Sequence, residues 1–168
     1  YDKQFIHVST DEIYGDALGQ DSFNEESQIN PSNPYAATKA AADNLVASYH
    51  KTYGINCITT RCTNNFGSFQ FPEKLIPKTI IRSIKNLKVP LYGDGSQIRS
   101  WIYVDDHVSA IESLILKGKA GEVYNITAYE EISNKIIVEK ILNILAKPCD
   151  NVEYVNDRPG HDKRYSIN

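Results

Sequence analysis

Methionine is absent from this sequence, tryptophan occurs once and cysteine three times. Cys57, Cys62 and Cys149 are odd in number and never spaced as CxxC, so neither a disulfide framework nor a zinc site is indicated. They read as reduced thiols of a cytoplasmic protein. His7, His50, His107 and His161 show no metal-ligand spacing, and no metal is expected. No basic cluster points to nucleic acid, and no apolar run approaches the ~20 residues of a membrane span. No signal peptide is visible. No GxGxxG or GxxGxxG occurs, so the phosphate-binding turn of a dinucleotide fold is missing from this stretch. The chain opens on Tyr1, enters a strand-like run at Gln4 almost at once, and stops at Ile167–Asn168 without a closing signal. It reads as a piece of a larger protein. What remains is ordinary globular material: 168 residues, net charge −3, 23% charged and 41% hydrophobic, enough to bury a real core.

The most informative stretch is Asn33-Pro-Tyr-Ala-Ala-Thr-Lys-Ala-Ala-Ala42. Pro34 suits the first turn of a helix because its φ is fixed and it has no N–H to leave unpaired. The alanines that follow are strong helix formers. Tyr35 and Lys39 are four apart and therefore share a helix face. A lysine ammonium beside a phenol favours the phenolate, which would lower the Tyr35 pKa and make it a base. The helix is expected to run to Tyr53 and stop at Gly54 in a left-handed cap. Leu45, Val46 and Tyr49 recur at helical spacing and are expected in the core.

Around that helix the chain alternates strand and helix. Gln4–Ser9 reads as a strand of a parallel sheet, followed by Thr10-Asp11-Glu12 at the strand end where α/β folds bind ligands. Asp11 and Glu12 offer an acid and a base within one turn, although a solvated turn would also suit them. Residues 16–32 read as loop, Ile55–Arg61 as a strand, and Cys62–Gln70 as loop rich in amides and hydroxyls. A helix is expected from Pro72–Glu73 to Lys88, and strands at Val89–Gly95 and Ser100–Val104. Asp105 or Asp106 would cap a helix to Leu116. A strand at Val123–Ile126, a helix from a Ser133 cap to Ala146, and a strand at Val152–Val155 complete the pattern. The order implies α/β architecture: part of a doubly wound parallel-sheet, Rossmann-like domain, plus a smaller α/β substrate domain, truncated at both ends.

Six motifs stand in order: Ser-Thr-Asp-Glu-x-Tyr-Gly, Asn-Pro-Tyr-x-x-Thr-Lys, Arg-Cys-x-Asn-Asn-Phe-Gly, Phe-Pro-Glu-Lys-Leu-Ile-Pro, Tyr-Gly-x-Gly-x-x-x-Arg-x-Trp and Asp-Arg-Pro-Gly-His-Asp-x-Arg-Tyr. The set resembles the dTDP-glucose 4,6-dehydratases, extended short-chain dehydrogenases/reductases of the NAD-dependent epimerase/dehydratase family, over nearly the whole chain. The resemblance implies NAD as cofactor, a nucleotide sugar as substrate, and a homodimer with the Tyr35 helix at its interface. It further implies that residues 1–62 form the C-terminal half of the NAD-binding domain and that 63–168 are mostly sugar-nucleotide-binding, with some elements returning to the first. It implies Tyr35 as the base for the sugar's fourth-carbon hydroxyl, with Lys39 holding the nicotinamide ribose. Glu12 would take the fifth-carbon proton, Asp11 would protonate the hydroxyl leaving the sixth carbon, and Thr10 would orient the fourth-carbon oxygen. Ser9 and Asn65 fall near the cofactor, and Asn64 and Asn65 near the substrate. Lys74, Leu75, Pro90, Tyr92 and Asn125 would line the nucleotide pocket. Arg99, Arg158 and His161 would meet the diphosphate, for which a guanidinium fork is suited. Trp101 is expected in the core. The alternatives are a 4-epimerase or related reductase sharing Tyr35 and Lys39, which would not need the Asp11–Glu12 pair, and an inert fragment. The chain departs from the family at Tyr-Ala-Ala-Thr-Lys and Gly-Ser-Phe-Gln, neither of which removes a catalytic group.

Overall fold

The computed structural model describes residues 3–19 and 21–168. The first layer is a parallel βαβ unit. Strand β1 (Phe5–Thr10) leads through a 3-10 turn (Asp11–Tyr14) and a loop to helix α1 (Pro34–Tyr53), and α1 returns the chain to β2 (Cys57–Cys62) alongside β1. The sheet order is β1–β2–β6, with β6 (Val123–Ile126) parallel to β2. The central strand is buried from Cys57 to Arg61, whereas edge-strand residues Phe5 and Val8 are exposed.

The ends of α1 follow from its sequence. The Asn33 side chain accepts a hydrogen bond from the Ala36 N–H at 2.9 Å, and Pro34 occupies the first turn. Gly54 takes the left-handed conformation, φ 65°, and donates its N–H to the His50 carbonyl. Its faces are not the expected ones. Ala36, Ala40 and Asp43 are buried, Val46 is half-buried, and Leu45 and Tyr49 are exposed. The apolar spacing was real but marks an outward face. With Phe5, Tyr53 and Ile55 it forms an apolar groove of about 670 Å³.

A second layer is built on β4 (Val89–Tyr92) and the parallel β8 (Val152–Val155), against which helices α2 (Leu75–Ile84) and α4 (Asn134–Ile144) pack. Its core is Val89, Leu91, Val138 and Leu142, with Leu75 and Val152 against them. Between the layers β5 (Ile98–Tyr103) pairs parallel to β3 (Asn64–Phe66) and antiparallel to β7 (Glu131–Ser133). Neither three-residue strand was anticipated, since each is too short to show alternation. Helix α3 (Val104–Lys117) begins earlier than expected, so Asp105 and Asp106 lie in its first turn and favour its positive end rather than capping it. Helix α2 starts at Leu75, after Pro72 and Glu73, and ends before Asn86, whose φ of 55° breaks the helical path. Ser133 caps α4 as expected, accepting from the Ile136 N–H.

Gly15 closes the 3-10 turn, donating its N–H to the Glu12 carbonyl. Its φ is +83°, and a Cβ there would meet the Asn30 carbonyl oxygen at 2.4 Å. Both the backbone conformation and the close approach require glycine. Gly15→Ala is expected to lower unfolding free energy by about 1–3 kcal/mol, measured by urea titration. An unchanged midpoint would show that the turn tolerates a side chain.

Candidate active site

Three groups meet where β1 ends. Thr10 Oγ1 accepts the Glu12 N–H at 3.3 Å and lies 3.3 Å from Asp11 Oδ1, to which it donates. This local geometry turns the two adjacent carboxylates into different environments. Asp11 is buried, and its Oδ2 has no partner among the described residues. Burial, then the charge of neighbouring Glu12, pushes its pKa up to about 7, while Arg99 and the Thr10 hydrogen bond oppose the rise. Glu12 is half-buried, and its Oε2 accepts from the Tyr165 hydroxyl at 3.3 Å. A solvated acidic turn is therefore not what forms.

Tyr35 emerges from the first turn of α1 beside them and is about half exposed. Its pKa is raised, first by burial of the phenol, then electrostatically by Glu12, Cys62 and Asp11, with the Thr10 hydroxyl acting in the other direction. The expected lowering by Lys39 is not seen. Lys39 Nζ instead donates to the Val8 carbonyl at 2.6 Å, so its charge is directed at the strand end rather than at the phenol. Ser9 is buried at the end of β1, and its Oγ has no partner among the described residues. Asn65 on β3 donates its amide to the Thr63 carbonyl at 3.1 Å and to Cys62 Sγ at 3.5 Å, and its buried Oδ1 has no partner among the described residues.

A cavity of about 370 Å³ runs from Glu12 toward the second layer. Asn64 lies on its wall, with Lys74 and Leu75 at the start of α2, Pro90 and Tyr92 on β4, Arg99 on β5, and Arg158 and His161 from the tail. The sequence reading placed all of these together; it missed Gln70, Glu73, Lys78 and Asn134, which also line the cavity. Four Lys or Arg side chains (74, 78, 99 and 158) face two glutamates there, an excess of positive charge suited to a phosphate-bearing ligand.

The details differ from expectation in three places. Arg99 is almost wholly buried, and three of its N–H groups are engaged with the carbonyls of Ile98, Asp162 and Lys163 at 2.7–3.3 Å. It also lies over the Tyr165 ring, 4.1 Å from the centroid. Trp101 lines the cavity instead of filling the core, because β5 pairs with β3 and sets it opposite Asn64. Asn125, on β6, is away from this cavity, and its amide bonds Tyr14, Phe23 and Asn168. His161 is oriented by Asp157, 2.6 Å from its Nδ1, and burial lowers its pKa while Asp157 opposes this.

The family model for GDP-mannose 4,6 dehydratase matches residues 1–168. A dTDP-glucose 4,6-dehydratase of Xanthomonas campestris is 44% identical over 98% of this chain and 49% of its own length. The chain thus spans about half the length of the curated relatives it matches. A crystal structure of DesIV, a dTDP-glucose 4,6-dehydratase from Streptomyces venezuelae solved with NAD bound, superimposes with a TM-score of 0.95 at 41% identity, covering 98% of this chain and 51% of that one. UDP-glucuronic acid 4-epimerase from Bacillus cereus, in complex with UDP-glucuronic acid and NAD, gives 0.92 at 27% identity over 99% of this chain and 52% of its own. Fold alone therefore groups dehydratases with epimerases, while sequence draws this chain toward the dehydratases. It belongs to the GDP-mannose 4,6 dehydratase family.

Proposed function

We propose that the chain is the catalytic and sugar-nucleotide-binding part of an NAD-dependent 4,6-dehydratase whose substrate is dTDP-glucose. The observation that carries this reading is the Asp11–Glu12 pair: one buried carboxyl that retains its proton near neutral pH beside a second that lines the cationic cavity. Elimination of water needs such an acid and base, and epimerisation does not. Residues 1–62 belong to the NAD-binding domain and 63–168 mostly to the sugar-nucleotide region, with the pairing of β6 on β2 supporting a return to the first.

The residues fit the nicotinamide end of NAD. Ser9 Oγ and Asn65 Oδ1 are buried polar atoms without a protein partner among the described residues, near the Tyr35–Lys39 helix. Bound NAD supplies the hydride acceptor. Lys39 holds the ribose, and Tyr35 takes the proton of the fourth-carbon hydroxyl, oriented by Thr10. Glu12 takes the proton from the fifth carbon, and Asp11 gives its proton to the hydroxyl leaving the sixth as water. The sixth carbon then takes back the hydride and Glu12 returns its proton to the fifth, so that the net change is loss of one water. Lys74, Arg99 and Arg158 balance the diphosphate charge, with His161 beside them, while Leu75, Pro90 and Tyr92 cover the nucleoside. No helix among the described residues is long and apolar enough to cross a membrane. The free thiols Cys57, Cys62 and Cys149 suit the reducing cytoplasm.

The product of the full-length protein with dTDP-glucose should be lighter by one water, by mass spectrometry; an isobaric product with inverted fourth carbon would establish an epimerase. Within the dehydratase reaction, Glu12→Gln should still form bound NADH on mixing with substrate while turnover falls by about 10²–10⁴. Tyr35→Phe should abolish NADH formation itself. Equal loss of NADH in both variants would refute this division.

Asp11 adds a dependence on pH. Its folded pKa of about 7 exceeds its ordinary value of 3.8, so the native state binds the extra proton between those values. Its contribution to stability is fully present below the ordinary value and lost as pH rises through about 7. Stability of the wild type minus that of Asp11→Asn should therefore fall across that window, and the rate of elimination should have a basic limb near pH 7. A flat difference in denaturation midpoints would show that Asp11 ionises like an exposed carboxylate.

The groove beside α1 is covered, in this reading, by the same face of a second copy, giving a homodimer. Leu45→Glu places a charge in that apolar face and should halve the mass seen by sedimentation. An unchanged dimer would place the interface elsewhere.

A further inference from the structure

Helix α1 grips the sheet with little bulk. The side chains it buries are Ala36, Ala40 and Asp43, while Leu45, Tyr49 and Tyr53 are exposed. Alanine methyls allow close approach but interlock weakly, so they leave sliding and rotation of the helix poorly defined. Polar contacts supply that definition. Asp43 Oδ2 accepts from Arg61 Nε at 3.0 Å, and Oδ1 lies 3.0 Å from His7 Nε2. Both oxygens are held by neighbouring strands, β1 and β2.

Arg61 continues the chain of contacts. It is buried on β2, and its Nη1 donates to the Tyr14 hydroxyl at 2.6 Å and to the Glu25 carbonyl at 3.3 Å. Its guanidinium carbon lies 4.9 Å from the centroid of the Tyr14 ring. The Tyr14 hydroxyl in turn donates to Asn125 Oδ1 at 3.0 Å. Tyr14 ends the 3-10 turn that carries Asp11 and Glu12, and Asp43 is two helical turns beyond Tyr35. One guanidinium therefore bridges the element bearing the oxidation base and the element bearing the elimination pair.

We propose that Arg61 is a positioning residue that sets the separation of Tyr35 from Asp11 and Glu12, acting through Asp43 on α1 and Tyr14 on the turn. The proposal rests on the dehydratase reading for its catalytic consequence. In that reaction one proton leaves the fourth-carbon hydroxyl and another leaves the adjacent fifth carbon, and the groups that take them stand on different elements. Small displacements of such groups cost rate steeply, because the reacting atoms must meet within a few tenths of an ångström. Arg61 touches no reacting atom, so its influence must appear as coupling between its two ends.

Tyr14→Phe removes the hydroxyl at one end, and Asp43→Asn removes the charge at the other while keeping its shape. The two side chains share Arg61 as a partner, so their effects should not multiply. In the full-length protein, single-turnover absorbance follows formation and decay of bound NADH, each variant being compared well below its own Tm. Each single variant should slow the decay by about 10-fold, and the pair together by nearer 10-fold than 100-fold. Hydrogen exchange supplies a readout that needs no substrate: Asp43→Asn should speed exchange of the amides at 11–15, distant in sequence. Faster exchange with multiplying kinetic effects, or unmoved exchange in Asp43→Asn, would overturn the strut. Absence of NADH in the wild type with nucleotide sugar would instead sink the dehydratase reading, and the exchange result alone would then decide the role of Arg61.

Discussion

The buried pairing of Asp43 with Arg61 is the constraint on which the first layer depends. Each residue is nearly inaccessible, at 4% and 5% exposure. Removing two charges from water is expensive, and only close geometry with further hydrogen bonds offsets it. Here the further bonds exist: His7 on one side, Tyr14 and the Glu25 carbonyl on the other. Losing either charge would leave the other buried without its counterpart. Such pairs contribute less to stability than to selecting one arrangement, and the arrangement selected is a helix lying close on the sheet by its alanines. Tyr35 and Lys39 sit on that helix, so the placement of the site follows from an interaction outside it.

Within the site, burial makes two adjacent carboxylates unlike. Asp11 is held inward by the Thr10-capped turn, and Glu12 reaches the cavity wall. The desolvated group keeps its proton to higher pH and suits donation. Burial also pushes the phenol of Tyr35 up rather than down, and the carboxylates of Glu12 and Asp11 add to it. Lysine at the expected helical spacing does not alter this, because spacing along a helix fixes a face and not the direction of a long, flexible side chain.

Much of the fold could be read from local signals. Asn33, Pro34 and Gly54 mark α1 because capping chemistry is local, and Ser133 marks α4 for the same reason. The cavity residues were legible through their motifs, which the chain brings to one space from α2, β4, β5 and the tail. What failed depended on the third dimension. Leu45 and Tyr49 show the helical period but not which face meets the sheet. Residues 64–66 and 131–133 become strands only because β5 lies between them. Trp101 reads as core by its bulk, yet pairing opposite Asn64 sets it at the cavity. Arg99 reads as a diphosphate ligand by its motif, which does not show that the carbonyls of Ile98, Asp162 and Lys163 also hold its guanidinium. No local pattern announces the Asp43–Arg61–Tyr14 chain, whose members lie on three elements.

The position of the tail bears on the chemistry of the turn in a way the motifs alone do not express. Arg99 opposes the rise in the Asp11 pKa, so its location helps set how acidic that carboxyl is. It is the carbonyls of Asp162 and Lys163, and the ring of Tyr165, that fix where the guanidinium stands. Tyr165 also donates to Glu12 and to Asp162. A segment some 150 residues away in sequence thus positions the Arg99 charge that acts on Asp11 and supplies a hydrogen bond to Glu12. The acid strength of the turn is consequently a property of the closed chain and not of the turn's own residues.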